Sequence, residues 1–320
     1  ATEADGRLER EERFSEALSG LEEQLADLPS FTEVDRYLLS NNDIPPEALA
    51  KLDTGKAPRS SYLSSDASKI QVFVMFGLDS GSASDSVMLV ALDRVHQKIK
   101  LISLARDSYV FIPEFGSFSK LAYSYVWGGA AMAVKNLNYN YYLNVSDYIA
   151  VDFDQLAEII DRIGGVTVNI DEDEARYLSN YPNVRVGDCL LDGETAVSYA
   201  RIRKSSATDS DRKRTGRQRE VILSILNTLQ TMPLSQYPGF VRDCLGMCAT
   251  SFEAETLLTM AAETLGQNYT VEQYFFPEGQ VDWWAGLIKE YFYYVYDLRR
   301  ASDRIYRIIY EELYISGYDD

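Results

Sequence analysis

The chain has 320 residues, of which 46% are hydrophobic and 25% charged, a composition typical of a globular protein with one or two domains. Its formal net charge of −18 disfavours general nucleic-acid binding, which needs a broadly positive surface. No apolar run reaches the roughly 18 residues that span a bilayer, and the N-terminus lacks a signal-peptide pattern. The chain begins at Ala1 inside a polar stretch, which is compatible with an anchor or signal further upstream.

The first predicted element is a helix over residues 5–29, where apolar residues recur at spacings of four and three. These residues are Phe14, Leu18, Leu21, Leu25 and Leu28. Two heptads are too few to predict a coiled coil, so a docking or spacer helix is expected. Residues 40–68 are rich in Ser, Asn, Pro and Asp, which predicts a linker with one short helix after Pro46.

From residue 70 onward, predicted strands alternate with predicted helices. The strands are expected over 71–76, 87–92, 99–104, 148–153 and 164–170. The helices are expected over 121–138, 154–163, 172–180, 193–199 and 212–231. This alternation predicts an α/β layered domain over residues 70–232, preceded by a helix and linker over 1–69. Residues 233–320, which are rich in tyrosine, are expected to form a largely helical extension.

The loop between the first two strands, G-L-D-S-G-S-A-S-D-S, carries Asp79 and Asp85. Two carboxylates on a short loop can bind one Mg²⁺, although Asp and Ser are also common in ordinary turns. The third strand is followed directly by Arg106 and Asp107. Because ligands gather at strand ends in open α/β sheets, Asp79, Asp85 and Arg106 are expected to face one pocket.

Histidine and cysteine are too scarce to suggest catalysis by either. His96 is the single histidine and lies in a predicted turn, D-R-V-H-Q-K, which disfavours a mechanism that depends on a histidine base. The three cysteines cannot all pair, and Cys244 and Cys248 without a nearby histidine make a poor zinc pattern. Buried free thiols are favoured, with a Cys244–Cys248 disulfide as the alternative.

Cations are concentrated in one segment: eight of the 31 Lys and Arg residues lie between Arg201 and Arg219. Arginine stays charged and matches phosphate oxygens, so this segment is a candidate phosphate site, although a solvated helical face is the alternative. Period-2 spacing is expected to put Arg201 and Arg203 on one side of an extended segment.

Residues 72–222 resemble the LytR-CpsA-Psr family of cell-envelope proteins, because several motifs occur in the family's order. They are G-L-D…A-S-D-S-V-M-L-V (77–90), S-L-A-R-D-S-Y-V-F-I-P (103–113), S-K-L-A-Y-S-Y-V-W-G-G (119–129), Y-I-A-V-D-F (148–153), I-G-G-V-T-V-N-I (163–170), L-D-G-E-T-A-V-S-Y-A-R-I-R-K (191–204) and D-R-K-R-T-G-R-Q (211–218). The resemblance implies a three-layer α/β/α sandwich with a central mixed sheet and an apolar cleft for a prenyl tail. An N-terminal helix and a helical C-terminal extension would flank this sandwich.

The resemblance also implies roles for individual residues. Asp79 and Asp85 would bind Mg²⁺, and Asp211 would support the site. The residues expected to hold the pyrophosphate of the substrate are Arg106, Lys120, Arg201, Arg203, Arg214, Arg217 and Gln218. Arg106, Asp107, Arg201 and Arg203 would form the catalytic set, in which Asp107 acts as a base or, as we prefer, orients Arg106.

The implied function is a phosphotransferase that moves a glycan phosphate from a polyprenyl pyrophosphate to peptidoglycan. A non-catalytic lipid-phosphate binder, regulator or scaffold, and a lipid pyrophosphatase, are the alternatives. The implied setting is the outer face of a bacterial cytoplasmic membrane, with an N-terminal anchor before Ala1 and no nucleic-acid partner. The chain departs from the family pattern at Gly81 and Ala83, where arginine is common. The loss of these cations is expected to weaken pyrophosphate binding or to shift it toward a substrate of different charge.

Overall fold

The computed structural model describes residues 34, 37–52, 62–79, 84–203, 207–265, 269–277, 279 and 281–316. The helix predicted over 5–29 lies outside the described residues, as do Gly81, Ala83 and Lys204. The short helix predicted after Pro46 is present at Pro46–Leu49.

The described strands and helices are numbered in chain order. The strands are β1 (Tyr62–Leu63), β2 (Ile70–Leu78), β3 (Ser84–Asp93), β4 (Lys98–Leu104), β5 (Tyr109–Ile112), β6 (Ser117–Lys120), β7 (Tyr148–Asp152), β8 (Val166–Ile170), β9 (Gly187–Leu191), β10 (Ala249–Thr250), β11 (Thr270–Phe276), β12 (Trp283–Ile288), β13 (Tyr291–Tyr296) and β14 (Tyr314–Ile315). The helices are α1 (Pro46–Leu49), α2 (Tyr123–Tyr141), α3 (Phe153–Arg162), α4 (Glu172–Tyr177), α5 (Gly193–Ala200), α6 (Ala207–Gln230), α7 (Tyr237–Met247), α8 (Ala254–Leu265) and α9 (Leu298–Tyr310).

A six-stranded sheet in the order β10-β7-β2-β3-β4-β11 forms the centre of the fold. Strands β2, β3 and β4 make an antiparallel meander. Strand β7 is parallel to β2 and β11 is parallel to β4, whereas β10 is antiparallel to β7. The predicted central mixed sheet is confirmed.

Both faces of this sheet are apolar, because helices cover both of them. On one face, Val74, Leu89 and Ile102 pack in a cluster with residues of α2 and α9. On the opposite face, Phe73, Val90 and Leu101 pack with residues of α6 and α8. The alternation of side chains along each strand therefore produces the predicted three-layer α/β/α sandwich.

A smaller cluster, formed by the β8–β9 hairpin with α3, α4, α5 and part of α6, lies beside the sandwich. Strand β8 was expected from the sequence, but it pairs with β9 and not with the central sheet. Helices α3 and α5 approach closely at Gly193, where an added Cβ would lie 2.0 Å from the carbonyl oxygen of Ala157. This contact fixes α5, and with it the loop that follows Ala200.

The expectation of a largely helical extension over 233–320 is only partly right. The segment contains α7, α8 and α9, but β11 is an edge strand of the central sheet and β12 pairs with β13. Runs such as Y-F-Y-Y-V-Y (291–296) are rich in the aromatic residues that favour strands, which the prediction overlooked. The central sheet therefore extends past residue 232, where the sequence-based division placed a boundary.

Candidate functional site

Two carboxylates lie at one end of the β2–β3 hairpin. Leu78 pairs with Ser84, so Asp79 directly follows the paired part of β2 and Asp85 is the second residue of β3. A β-bulge at Gly77 and Leu78 interrupts the register at this point. Asp79 is half-buried and Asp85 is 6% exposed. The structure thus places both predicted metal ligands at the same end of the sheet.

Three guanidinium groups surround the Asp85 carboxylate. Arg106, just after β4, donates a hydrogen bond from Nη1 to Asp85 Oδ1. The same oxygen lies 3.6 Å from Nη2 of Arg203 and 3.8 Å from Nη1 of Arg214. We call Arg106, Arg203 and Arg214 the arginine cluster. Three cations around one anion leave an excess of positive charge, which favours binding of a second, multiply charged anion.

Asp107 faces Lys120 as well as Arg106. Lys120 Nζ donates a hydrogen bond of 2.6 Å to Asp107 Oδ1, and Arg106 Nε lies 3.5 Å from Asp107 Oδ2. Arg106 therefore lies between the carboxylates of Asp85 and Asp107, which fix its guanidinium from two sides.

Arg217 is placed differently from the expectation that it holds pyrophosphate. It is 4% exposed, its Nε donates to Glu174 Oε1 at 2.7 Å, and its Nη1 donates to the carbonyl oxygen of Ile202 at 3.1 Å. Ile202 lies between Arg201 and Arg203, so Arg217 anchors the loop that carries both arginines. Its guanidinium is thus bonded on two sides within the protein.

The partner of Arg217, Glu174, was not singled out by sequence reasoning. Glu174 Oε2 accepts a hydrogen bond from the backbone of Asp171, whose carboxylate in turn caps the backbone of Glu174. The D-x-x-E capping-box pattern at 171–174 was the available signal. It predicts the start of α4 but says nothing of a contact with residue 217.

The expectation that Arg201 and Arg203 lie on one side of an extended segment is wrong. Helix α5 continues to Ala200, and Arg201 is its C-cap in a helical conformation. The guanidinium of Arg201 stacks 4.5 Å from the ring centre of Phe153, whereas Arg203 faces Asp85. Within this pair, Arg203 is the residue that joins the arginine cluster.

Helix α6 brings Arg214 to the site, and Gln218 lies on the same helical face four residues later. Gln218 is 9% exposed, and its side-chain oxygen has no hydrogen-bond partner among the described residues. A buried acceptor of this kind fits a cation, its bound water or a hydroxyl of a ligand. Asp211 lies in the same helix, and its side chain lies outside the described part of the chain.

An apolar cavity of about 320 Å³ lies between the sheet and the helices α6, α7 and α8. Phe73 and Met75 line it from β2. Further along α6, the lining residues are Ile222, Ile225, Leu226 and Leu229. One helix therefore carries both a member of the arginine cluster and a wall of the apolar cavity.

Cys244 and Cys248 line the apolar cavity, whereas His96 lies away from the arginine cluster. Burial raises the pKa of Cys244 to about 12 and that of Cys248 to about 11, so both are thiols where they line the cavity. Both are free, as predicted, but they are half-buried and not fully buried. His96 lies in the turn after β3, at the opposite end of that strand from Asp85, and contacts Asp93 and Glu312.

The sequence profile of the LytR_cpsA_psr family matches residues 48–306 of the chain. The polyisoprenyl-teichoic acid–peptidoglycan teichoic acid transferase TagU of Enterococcus faecalis is 29% identical over 166 residues, which are 50% of this chain and 54% of TagU. The regulatory protein MsrR of Staphylococcus aureus is 30% identical over 184 residues, or 54% of either chain. The chain thus spans about half the length of these curated relatives.

Solved structures show the same fold. The crystal structure of B. subtilis TagT superposes with a TM-score of 0.61 at 19% identity, covering 80% of this chain and 99% of TagT. A structure of TagT bound to LIIa-WTA superposes with a TM-score of 0.62 at the same identity and coverage. At this level of identity the likeness concerns the fold alone.

Proposed function

Because the chain belongs to the LytR-CpsA-Psr family, we propose that it transfers a glycan phosphate from a polyprenyl pyrophosphate to peptidoglycan. The observation that carries this proposal is the arginine cluster beside a cavity lined almost wholly by apolar side chains. A substrate with a doubly charged head and a long hydrocarbon tail matches both features at once. The transferase activity of TagU, a relative in sequence, supports the same reaction.

The prenyl tail would enter the apolar cavity, where burial of hydrocarbon stabilises the complex by about 0.8 kcal/mol for each methylene. The pyrophosphate would then lie at the end of the β2–β3 hairpin, within reach of Arg106, Arg203 and Arg214. Charge-assisted hydrogen bonds from these guanidiniums would replace part of their present contact with Asp85. Arg201 and Arg217 would shape the loop that follows α5. Lys120 would fix Arg106 through Asp107.

Asp79 and Asp85 are the residues that would hold Mg²⁺, because carboxylate oxygens are its preferred protein ligands and the buried oxygen of Gln218 offers a further acceptor. When bound, the ion would supply positive charge that offsets the negative charge of the pyrophosphate. Asp85 would in that case exchange guanidinium contacts for the metal, while the guanidiniums turn to phosphate oxygens.

In the reaction, a hydroxyl oxygen of the acceptor forms a bond to the sugar-side phosphorus, and the bond from that phosphorus to the bridging oxygen breaks. Polyprenyl phosphate leaves with that oxygen, and the hydroxyl proton passes to solvent or to a carboxylate. The arginine cluster stabilises the charge that develops on the phosphoryl oxygens. Asp107, held by Lys120 and Arg106, orients the guanidinium of Arg106 in this account.

The second candidate is a lipid-phosphate binder without turnover. Gly81 and Ala83 stand where the family often has arginine, so two cations of the usual head-group site are missing. The relative MsrR is named a regulatory protein, which is compatible with such a role. A binder of this kind would hold the same lipid in the same cavity.

We further propose that the reaction takes place at the outer face of a bacterial cytoplasmic membrane, where lipid-linked glycans and peptidoglycan meet. Among the described helices, none is long and apolar enough to cross a membrane. An anchor on the N-terminal side of Ala1 would hold the domain close to its lipid substrate.

The test is cleavage of a short-chain polyprenyl-pyrophosphate glycan by wild type, Arg203→Ala and Arg176→Ala, with Mg²⁺ and with a chelator. Loss of one charged hydrogen bond of about 1.5–3 kcal/mol should slow Arg203→Ala by roughly ten- to a hundredfold. Arg176→Ala is the matched control, because this arginine is 75% exposed and pairs with Asp173 on its own helix. Tight binding by the wild type without any turnover would favour the second candidate.

A further inference from the structure

Four aromatic side chains lie together next to Lys120. The ring centre of Tyr123 lies 5.0 Å from that of Tyr37 and 5.4 Å from that of Trp127. Tyr291, from the start of β13, lies 6.1 Å from Tyr37. We call Tyr37, Tyr123, Trp127 and Tyr291 the aromatic platform.

The platform combines apolar rings with polar groups at its edge. Tyr37, Tyr123 and Tyr291 are half-buried, so part of each ring remains accessible to solvent. Val126, three residues after Tyr123 on α2, is 42% exposed, so one side of this turn faces solvent, whereas Trp127 is 8% exposed and lies behind the tyrosine rings. The ammonium group of Lys120 lies 5.7 Å from the ring centre of Tyr291 and is bonded to Asp107.

Backbone contacts join the platform to the arginine cluster. The amide of Ala122 donates a hydrogen bond to the carbonyl oxygen of Arg106, and Tyr123 is the next residue along the chain. Through Asp107, which lies between Lys120 and Arg106, the polar edge of the platform is continuous with the site. A chain of contacts through Lys120 and Asp107 therefore links the ring of Tyr291 to Arg106.

The platform and the apolar cavity lie on opposite faces of the central sheet. Tyr123 and Trp127 pack against the core cluster on the α2 side. The cavity is lined by Phe73 and Met75, whose side chains point to the α6 side. Arg106 and Asp85, at the strand ends, lie between the two.

In an in-line transfer, the attacking and leaving oxygens stand on opposite sides of the phosphorus. The leaving polyprenyl phosphate points toward the apolar cavity, so the attacking hydroxyl must approach from the other side. We propose that the aromatic platform binds the glycan strand of the acceptor and directs its hydroxyl to the phosphorus. Aromatic rings stack on the apolar faces of pyranose rings, while phenol, ammonium and carboxylate groups bind their hydroxyls.

This inference rests on the proposed function, but sugar binding can be measured without transfer. The probe is chitotetraose, a soluble chain of four β-1,4-linked N-acetylglucosamine units, titrated into the full chain and followed by tryptophan fluorescence and calorimetry. The variants are Tyr123→Ala and Tyr291→Ala, with Tyr123→Phe as the conservative variant that keeps the ring. Tyr139→Ala is the matched control, because Tyr139 is 51% exposed on the same helix and contacts Phe111 instead.

The expected result is at least tenfold weaker binding of chitotetraose by both alanine variants, with near-normal binding by Tyr123→Phe and Tyr139→Ala. Affinity for a short-chain polyprenyl-pyrophosphate glycan should stay within about twofold of wild type, and the acceptor KM should rise more than kcat falls. Thermal unfolding of each variant checks that the fold is retained.

Two results would overturn the inference: equal chitotetraose affinity in all variants, or loss of donor affinity with unchanged acceptor affinity, which would assign the platform to the donor glycan. Platform-dependent sugar binding without any transfer would support the inference and refute the proposed phosphotransfer. Transfer with an unchanged acceptor KM in the alanine variants would support the proposed phosphotransfer and refute the inference.

Discussion

Asp85 is the internal counter-ion of the arginine cluster, since its carboxylate contacts Arg106 and lies 3.6 and 3.8 Å from nitrogen atoms of Arg203 and Arg214. Asp85→Asn removes this competing negative charge. We therefore expect about tenfold tighter binding of inorganic pyrophosphate without metal, and little further gain when Mg²⁺ is added. Calorimetry with and without a chelator measures both effects, and Asp282→Asn is the exposed control. Weaker metal-free binding would mean that Asp85 chiefly orients the arginines.

Arg217 and Glu174 form a buried ion pair, and a lone buried charge is costly. Arg217→Ala should lower the free energy of unfolding by about 3–5 kcal/mol, because it leaves Glu174 without its cation. Arg176→Ala, at an exposed pair, should change it by at most about 1 kcal/mol. Urea unfolding of both variants provides the comparison. Similar small losses in the two would contradict the anchoring role of Arg217.

At the residue scale, the sequence identified some of the cations and carboxylates that meet, but not how each is used. The ordered motifs led to the expectation that Asp85, Arg106, Arg203 and Arg214 share one site, and the structure brings these four together. The contact between Arg217 and Glu174 spans 43 residues, and no local pattern encodes such a distance. The binding roles of all these residues stay predictions.

Helix α2 contains a kink that separates the platform turn from the rest of the helix. Gly129 has φ 60° and ψ −158°, a conformation that is essentially confined to glycine. Gly129→Ala should therefore lower the free energy of unfolding by about 1–3 kcal/mol and displace Trp127, which shifts its fluorescence. Gly116→Ala, at φ 58° and ψ 29°, is the milder control with an expected loss of about 1 kcal/mol. Equal effects would argue against a specific role for the kink.

The turn after β3 is tied to the segment after α9 by His96. Burial disfavours the charged imidazole, but hydrogen bonds to Asp93 and Glu312 outweigh it and raise the pKa of His96 above its ordinary value of 6.5. A raised pKa means that the folded state gains stability below pH 6.5 and loses it as the pH rises through the raised value. His96→Asn should therefore cost more stability at about pH 5.5 than at about pH 8.5, as urea unfolding can show. An equal cost at both values would contradict the ion pairing.

At the element scale, prediction worked where a strand or helix is long and regular, and failed for short or aromatic strands. The apolar runs of β2, β3 and β4 and the helix α6 were found close to their observed bounds. Strands β5 and β6 have only four residues each, too few for their periodicity to stand out. Strand β9 was missed although β7 and β8, which also have five residues, were found. Strand β11 was missed because its pairing with β4 joins residues about 170 apart in sequence.

On the scale of the whole molecule, the central sheet depends on residues far beyond position 232. Strand β11 pairs along the full length of β4, and α9 covers one face of the sheet. A fragment of residues 70–232 would expose the edge of β4 and the sheet face beneath α9 to water. It should therefore not unfold cooperatively. Circular dichroism and urea unfolding of this fragment, beside residues 34–316, test the expectation. A cooperative transition in the short fragment would show that the sequence-based boundary marks an independent unit.

The central claim is that one site joins a cationic head-group pocket to a prenyl cavity and uses both for phosphoryl transfer. Phosphorus NMR of a short-chain polyprenyl-pyrophosphate glycan, incubated with the protein, Mg²⁺ and peptidoglycan, tests this most directly. We predict that the pyrophosphate signals give way to equal amounts of polyprenyl monophosphate and a new phosphodiester on the acceptor. Two phosphomonoesters would indicate hydrolysis, and unchanged pyrophosphate signals in a saturated complex would contradict the account and leave a lipid-phosphate binder.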